Sequence, residues 1–393
     1  MKKINLLFPA LLATLLLASC GGKSDTTSTD TITDSITDTN TDTNTDSDTD
    51  PEPLPKEKVA HGTGALFTEY EGYSSFDAKV IEEDDARYVV YMSNEIQEVD
   101  VNSIYVRKGT KVDGKWVYEQ KTLALKASES GWDKKITAPS VVKGVFRLGS
   151  ETYNYLMAYQ ANDNNSDDNC YSIGLAYAKD MLGEWTKVEK PLLECKDTSI
   201  YGYGSPELIS CNENGFVGIT YTWGEATLTC TSFQQFDATD LSKIVVNPGY
   251  VQIASKGLID GQATPIFANA GFAFKYNNPT IYTVRDIYPL SSVEPGHSNK
   301  IEVSKAPFEI LETAENSWTS VKTITGSDTI DENDESSLGW DELYSASFVT
   351  NAYGYIAQDA TSLEVVYTGA DEQGTYETDY RFSSFVCSIT VSL

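Results

Sequence analysis

Hydrophobic and polar positions divide the chain into three stretches of different character. An apolar run from Leu6 to Leu17 comes first, and a stretch of Ser, Thr, Asp and Asn with almost nothing to bury runs from Gly21 to Lys58. From Val59 to Leu393, short runs rich in Tyr, Val, Ile and Phe alternate with turn residues, and no long stretch shows helical periodicity. The pattern predicts a leader (residues 1–20), a linker (21–58) and an all-β domain (59–393).

The leader has the order of a secretory signal peptide. Lys2 and Lys3 precede an apolar core that is too short for a comfortable membrane span, and small residues lead to Cys20. The ending Leu17-Ala18-Ser19-Cys20 resembles the bacterial lipobox, in which the cysteine is diacylated and becomes the new N-terminus. This resemblance implies lipidation of Cys20 and membrane contact through the lipid anchor only. We expect the outer membrane or cell surface, because Gly21 does not resemble an inner-membrane retention signal.

The linker and the overall charge limit the possible partners. Repeated Asp residues in the linker repel one another, and prolines at 51, 53 and 55 stiffen its end, so the segment is typical of a disordered acidic spacer. The whole chain carries a net charge of −29 and shows no patch of Lys and Arg. A nucleic-acid partner is therefore disfavoured. We expect a monomeric domain.

Cysteine usage fits an exported protein. Of the six cysteines, five remain once Cys20 is acylated, so one is left over if the rest pair. Cys170 and Cys195 bracket two consecutive strand candidates and form the best candidate disulfide. None of the cysteines shows zinc-like spacing, so the sequence predicts no metal site and no cofactor, with a structural calcium ion left open.

An internal repeat is the most informative feature of the β domain. Five segments begin alike at intervals of roughly 60 to 80 residues. They are Phe76-Asp77-Ala78-Lys79-Val80, Thr137-Ala138-Pro139-Ser140-Val141, Gly204-Ser205-Pro206-Glu207-Leu208, Ala263-Thr264-Pro265-Ile266-Phe267 and Ser345-Ala346-Ser347-Phe348-Val349. After each comes a turn, and four of the five then continue into a clear aromatic-rich strand, which is the period of one four-stranded sheet.

This repeat predicts a five-bladed β-propeller of four-stranded blades, with two facing β-sandwiches as the alternative fold. The segment Ala65–Tyr70 is expected to pair into the last blade and close the ring, although its partner strand stays open.

The second repeat resembles a known enzyme family. Its Ile136–Val142 and Tyr155–Tyr159 segments, followed by Ile173–Ala178 and Leu182-Gly183-Glu184-Trp185, are similar to five-bladed glycoside hydrolases of family 43. Those enzymes and their relatives cut arabinose- and xylose-containing polysaccharides. The resemblance implies a surface lipoprotein that hydrolyses such glycosidic bonds, with a polysaccharide or oligosaccharide as its partner.

The resemblance also implies catalytic carboxylates at defined repeat positions. One group protonates the leaving oxygen while another, roughly 6.5–9.5 Å away in an inverting enzyme, activates water. Asp77 matches the position of the base. The tuning carboxylate and the acid fall near Ser205 and Thr264, which transfer protons poorly at neutral pH. Glu207 and Asp260 are the substitute catalytic candidates on the third and fourth repeats.

Several readings stay open for these residues. A non-catalytic glycan-binding or adhesion propeller, which has lost the acid and tuning carboxylates, is the alternative function, and a protein-interaction scaffold is what a propeller offers by default. Arg285 resembles a sugar-hydroxyl clamp, with an internal ion pair equally open. The candidate sugar-stacking residues lie near blade entries and are Trp132, Trp223, Tyr203 and Tyr201. An inner-strand carboxylate paired with Lys79 or Arg285 would be structural.

Overall fold

The computed structural model describes residues 56–94, 102–163, 170–225, 228–259, 270–275, 277–287, 298–311, 316–371 and 384–393. Cys20 and almost all of the predicted linker lie outside the described residues, and Lys56 to Leu393 belong to one compact unit. Within the described ranges the structure is built from strands and two short 3-10 helices, Phe308–Leu311 and Gly326–Thr329. No helix in those ranges is long and apolar enough to cross a membrane.

The strands follow one another as antiparallel meanders, which we call blades 1 to 5. Blade 1 contains β1 (Phe76–Glu83), β2 (Ala86–Asn94), β3 (Asn102–Val112), β4 (Lys115–Tyr118) and β5 (Thr122–Lys126). Blade 2 contains β6 (Lys135–Leu148), β7 (Glu151–Asn162), β8 (Ser172–Ala178) and β9 (Thr186–Lys187). Blade 3 contains β10 (Gly202–Ser210), β11 (Phe216–Glu225), β12 (Leu228–Asp237) and β13 (Val245–Gln252).

The last two blades are linked by one short strand. Blade 4 contains β14 (Gly271–Lys275), β15 (Thr280–Asp286), β16 (Lys300–Pro307) and β17 (Thr319–Thr325). Blade 5 contains β18 (Glu342–Asn351), β20 (Ser362–Ala370) and β21 (Phe385–Ser392). The strand β19 (Tyr355–Ile356) follows β18 in the chain but pairs with β14.

Middle strands are apolar on both faces because each blade is covered by a blade on either side. Every residue of β8 is buried. Its Ala176 packs toward blade 1 in a cluster with Val90 and Ile104, whereas Leu175 packs toward blade 3 with Ile219. The core is therefore divided into layers between neighbouring blades, as in a propeller.

The inner strands close into a ring. In cyclic order β1, β6, β10, β14 and β18 each contact the next, and β18 contacts β1 again. The last contact is a parallel pairing in which Val80 lies opposite Val349. The predicted all-β propeller fold is confirmed, and the alternative of two facing sandwiches is wrong, because a sandwich has no closed ring of inner strands.

The N-terminal segment of the domain completes blade 5. Ala65 bridges Cys387 on β21, Leu66 N donates to Val386 O at 2.9 Å, and Ser388 N donates to Gly64 O at 2.8 Å. The expected pairing of this segment with the last blade is confirmed, and its partner is the outermost strand. The two ends of the domain are thereby joined within one blade.

A turn from blade 5 crosses the axis at the far ends of the inner strands. Its Ala352 O accepts from Lys143 N of blade 2 at 2.7 Å, and Tyr353 O accepts from Ser210 N of blade 3 at 3.0 Å. Tyr355 then pairs with Phe274 of blade 4. The turn connects four blades and covers this end of the axis.

One disulfide is present, and it is the predicted bridge between Cys170 and Cys195. It joins the start of β8 to the segment that leads into β10, across a sequence separation of 25 residues. Cys211 and Cys387 remain outside any disulfide, so more than one cysteine is left over. The described residues hold no cluster of three or more His, Cys, Asp or Glu side chains suited to a metal ion.

Candidate functional site

Four inner strands begin with the same backbone irregularity. Their pairing registers shift between Phe76 and Lys79, between Thr137 and Ser140, between Gly204 and Glu207, and between Tyr344 and Ser347. Each bulge holds a non-glycine residue with positive φ, namely Asp77 (52°), Ala138 (46°), Ser205 (46°) and Ser345 (50°). Such φ values are unfavourable for residues with a Cβ, and a bulge turns its side chain away from the regular strand direction.

The bulges correct the predicted register of blade 5. The sequence repeat aligned Ala346 with Asp77, whereas the residue with the equivalent backbone conformation is Ser345. Blades 2 and 3 carry Pro139 and Pro206 directly after the bulged residue, which marks the position. Blade 5 has no such proline in its run of small residues, so the sequence alone left a shift of one residue undetected.

The bulges surround a funnel on the propeller axis, at the end where the inner strands begin. Asp77, Ala138, Ser205 and Ser345 line it, together with Gly271 of blade 4. The structure thus brings four of the five sequence motifs to one axis, and the fifth, around Thr264, lies outside the described residues. Asp77 is half-buried at this site.

Asp77 is held by both of its neighbouring blades. Thr137 of blade 2 donates its hydroxyl to Asp77 Oδ2 at 2.6 Å. The backbone N–H of Asp77 donates to Thr368 Oγ1 of blade 5 at 3.3 Å. A carboxylate has room for further hydrogen bonds beyond the single one from Thr137. Asp77 can therefore accept hydrogen bonds from a ligand in the funnel.

In two further blades, the backbone N–H of the bulged residue also donates to a side chain of the preceding blade. Ser205 N donates to Gln160 Oε1 of blade 2 at 3.0 Å, and Ser345 N donates to Asp286 Oδ2 of blade 4 at 3.2 Å. As with Thr368, the acceptor belongs to the second strand of the preceding blade. Asp286 thus fixes the backbone of the funnel wall.

The second predicted carboxylate, Glu207, forms the floor of the funnel with Lys79. Lys79 Nζ lies 2.7 Å from Glu207 Oε2 with both side chains buried. Ser140 also donates to Oε2 at 3.1 Å, and Ser347 donates to Oε1 at 2.7 Å. Both carboxylate oxygens of Glu207 therefore have partners, and Glu207 forms the structural ion pair that the sequence left open. In this arrangement it is badly placed for proton transfer to a ligand.

The third predicted carboxylate, Asp260, lies outside the described residues. The same holds for Thr264, at the family's acid position.

Known structures share this architecture. A thermostable family-43 glycoside hydrolase superimposes with a TM-score of 0.51 over 81% of this chain and 89% of that chain, at 15% sequence identity. An α-L-arabinofuranosidase from Lactobacillus brevis gives a TM-score of 0.52 over 81% of this chain and 90% of that chain, at 9% identity. A GH62 hydrolase in complex with xylotriose gives 0.51 over 85% of this chain and 97% of that chain, at 9% identity. No protein-family model and no curated protein matches the sequence.

The chain has the propeller fold of these glycoside hydrolases. At such low sequence identity the likeness concerns the fold alone, and the chemistry of the funnel has to be argued from its own residues.

Arg285 is buried in an ion pair within blade 4. Its Nη2 lies 3.0 Å from Glu302 Oε2 on the adjacent strand, and its Nε donates to the same oxygen at 3.1 Å. Nη2 also donates to Ile259 O, and Nη1 donates to Asp286 O at 3.4 Å. The internal ion pair, which the sequence left equally open, is the observed arrangement.

Two of the predicted stacking residues pack between blades rather than facing the funnel. The Tyr203 ring meets the Tyr221 ring with centroids 5.8 Å apart, and Trp223 Nε1 donates to Ser232 Oγ at 3.2 Å. Both side chains are partly buried against the apolar layer between blades 2 and 3. Trp132 differs, because it lines a separate pocket at the top of blade 2.

Sequence reasoning missed the polar residues that hold the site. Thr137, Thr368 and Gln160 were not singled out, because their roles depend on contacts between blades. The polar floor of the funnel could have been predicted from the repeat. Lys79, Ser140 and Glu207 each lie two residues after the bulged position of their motif. Polar residues at one repeat position predict a polar layer across the axis.

Proposed function

We propose that this protein binds carbohydrate in the axial funnel, with Asp77 as the carboxylate that recognises sugar hydroxyl groups. The observation that supports this proposal most strongly is the geometry of Asp77. A bulge with positive φ turns it toward a funnel lined by all five blades, and one hydroxyl from Thr137 holds its orientation. The same backbone conformation places Ala138, Ser205 and Ser345 at the funnel, and among these four positions Asp77 alone has a charged side chain.

Among the described residues, the funnel favours holding a glycan over cutting it. Hydrolysis with inversion needs two carboxyl groups that both reach the reacting bond. Glu207 is committed to Lys79 and two serines, and Ser205 occupies the position where the enzyme family has its tuning carboxylate. Asp77 among serine and threonine hydroxyls is suited to hydrogen-bonded recognition of a polyhydroxylated ligand.

Hydrolysis of arabinose- or xylose-type glycosidic bonds is the second candidate function. It is supported by the sequence resemblance and by the fold shared with family-43 and GH62 hydrolases. In this case Asp77 would act as the general base, and Asp260, which precedes the predicted inner strand of blade 4 in the sequence, would supply the proton.

The cellular setting is part of the proposal. We infer a five-bladed propeller that is lipidated at Cys20 and carried on an acidic spacer at the outer membrane or cell surface. The disulfide between Cys170 and Cys195 supports export, since such bridges form in oxidising compartments. A protein anchored there would hold polysaccharide close to the cell.

The substitution Asp77→Asn tests both functions. Asparagine tolerates positive φ and keeps an oxygen for Thr137, so the change removes the charge with little disturbance of the fold. We expect binding of arabinan- or xylan-derived oligosaccharides to weaken by about tenfold, because charge-assisted hydrogen bonds become neutral ones. Isothermal titration calorimetry measures the affinity, and reducing-end release measures hydrolysis.

Asp84→Asn is the matched control. Asp84 also has positive φ (52°), lies just after the opposite end of β1 and is exposed, so its substitution is expected to leave the affinity unchanged. If the Asp77 variant binds as tightly as the parent, the proposal is wrong. If the parent releases reducing ends and Asp77→Asn slows that release by about 10²-fold or more, the hydrolase replaces the binding protein.

A further inference from the structure

A second pocket opens on the same face of the propeller, above blade 2. It is lined by Trp132, Asp163, Ser172, Lys196 and Thr198, with the disulfide between Cys170 and Cys195 at its base. Trp132 precedes β6, Ser172 begins β8, and the segment with Lys196 leads into β10. These strands all begin at the funnel end of the propeller, so the pocket and the funnel open on one surface.

The Trp132 ring is fixed before any ligand arrives. It stacks on the buried Tyr159 ring at a centroid distance of 6.0 Å and an interplanar angle of 13°, and its Nε1 donates to Glu189 O at 3.4 Å. A Cβ on Gly174 would lie 2.5 Å from the indole, so glycine makes room for the ring in this place. Tyr159 covers one face of the indole, and the half-buried Trp132 side chain also lines the pocket.

The polar groups around the indole have the composition of a sugar site. They are the Asp163 carboxyl group, the Lys196 ammonium group and the hydroxyls of Ser172 and Thr198. Lys196 Nζ lies 3.2 Å from Glu194 Oε2 at the surface, and Ser172 Oγ accepts from Cys195 N at 2.9 Å. The Lys196 side chain is 78% exposed. A pyranose ring has apolar C–H faces and a polar edge, so it can lie on an aromatic ring while its hydroxyls bond to groups at the rim.

Pocket and funnel share one wall. Tyr171 lies in sequence between two residues of the pocket, and its backbone N donates to Tyr201 O at 2.9 Å. The Tyr201 hydroxyl donates to Gln160 Oε1 at 3.4 Å, and Gln160 in turn holds the backbone of Ser205 at the funnel. Burial raises the pKa of the Tyr201 hydroxyl, and the charge of Asp77 contributes to the same shift. The two sites are therefore separated by a partition of hydrogen-bonded residues.

We propose that the Trp132 pocket is a second glycan-binding site, which holds a neutral sugar residue of the same chain whose other end occupies the funnel. The class of ligand rests on the function proposed for the funnel, but the residues that line the Trp132 pocket differ from those that line the funnel. Its consequence is a preference for oligosaccharides long enough to span the partition.

The test compares a disaccharide with a hexasaccharide of the xylan or arabinan series. The parent is expected to bind the hexasaccharide more tightly, and Trp132→Ala is expected to lower the hexasaccharide-to-disaccharide affinity ratio by about tenfold, as stacking of one sugar on an aromatic ring is lost. The blue shift of tryptophan fluorescence on hexasaccharide binding is expected to shrink in the same variant. Trp116→Ala, on the outer edge of blade 1, is the control that leaves both measurements unchanged.

Lys196→Met serves as a second variant, because an exposed lysine is replaced without loss of buried contacts, and we expect the affinity ratio to fall about threefold. If both variants keep the parent ratio, the second site is wrong. If Trp132→Ala weakens both ligands equally, the pocket is not a separate site and the proposal is also wrong. If Asp77→Asn leaves binding intact while Trp132→Ala abolishes it, the pocket stands and the function proposed for the funnel fails. A parent that binds neither sugar overturns both.

Discussion

One backbone conformation serves different purposes according to the residue that adopts it. Asp77, Ala138, Ser205 and Ser345 share a positive φ and face one funnel, yet among them Asp77 alone carries a charge. The cost of the conformation is therefore part of the propeller architecture, whereas the proposed recognition of a ligand depends on the side chain at the bulge in blade 1. The repeat places one residue of each of these four blades at the funnel, and an aspartate at this position in blade 1 provides the charged group.

Two lysines near the N-terminal segment make stability depend on pH. Lys58 Nζ donates to Ser384 O at 2.8 Å, Lys121 Nζ donates to Ser93 Oγ at 2.9 Å, and both face the buried Glu69. Burial lowers the pKa of each lysine to about 8, against the attraction of Glu69. Between about pH 8 and 10.5, the ordinary lysine pKa, these two lysines hold more protons in the unfolded chain than in the folded one, so their contribution to stability rises with pH.

Chemical denaturation at several pH values measures this slope. Replacing both lysines by methionine is expected to flatten it, because the proton difference between the two states is removed. Lys56→Gln is the control, since Lys56 is exposed and pairs with Glu71 at the surface. The lysines are measured by the difference between the two slopes, since cysteines whose pKa values are raised by burial oppose them in both proteins. A double variant whose slope is as positive as that of the parent would contradict the assignment.

The positive φ of Ala138 at the bulge of β6 lowers the stability of the folded protein. Ala138 has a φ of 46°, a conformation that costs a residue with a Cβ about 1–2 kcal/mol. Ala138→Gly removes this cost. Glycine also makes the unfolded chain more flexible, which destabilises the folded state by about 0.4–1 kcal/mol, so a net stabilisation of about 0.5–1 kcal/mol is expected. Ala158→Gly, on the neighbouring strand without positive φ, is expected to destabilise by about 0.5–1 kcal/mol. Equal signs for the two variants, measured by urea denaturation, would contradict the account.

Elements were easier to predict from the sequence than their contacts. The motifs at Asp77, Ala138 and Ser205 identified inner strands because each begins a repeat of the same length and hydrophobic pattern. The shift by one residue in blade 5 and the burial of Arg285 against Glu302 could not be predicted, since both depend on which strands become neighbours. Asp77 was identified through family resemblance, whereas Thr137, which holds it, belongs to another blade.

For the whole molecule, the Lys79–Glu207 pair ties opposite parts of the ring together. It runs from blade 1 to blade 3, and the serines that bind it come from blades 2 and 5. Lys79→Met leaves Glu207 buried without its counter-charge and is expected to cost about 3–5 kcal/mol. The double variant Lys79→Met, Glu207→Met is expected to recover most of that loss, because neither side chain then carries a charge.

Denaturant midpoints of the single and double variants measure the coupling between the two residues. Lys179→Met is the control, since its exposed pair with Glu151 is expected to contribute little. If Lys79→Met costs no more than the control, the pair does not hold the ring together. If the double variant is less stable than either single variant, the pair stabilises through contacts other than its charges.

The turn from blade 5 that crosses the axis gives the funnel a single entrance. Ala352 and Tyr353 bind the backbones of blades 2 and 3, and Tyr355 pairs with blade 4, so the far end of the axis is closed by main-chain hydrogen bonds. A polymer cannot be threaded through such a channel. If the funnel holds a glycan as proposed, that glycan enters by a terminus or a short side branch and leaves by the same route. The number of free ends, rather than the total mass of polysaccharide, would then determine how many copies of the protein it engages.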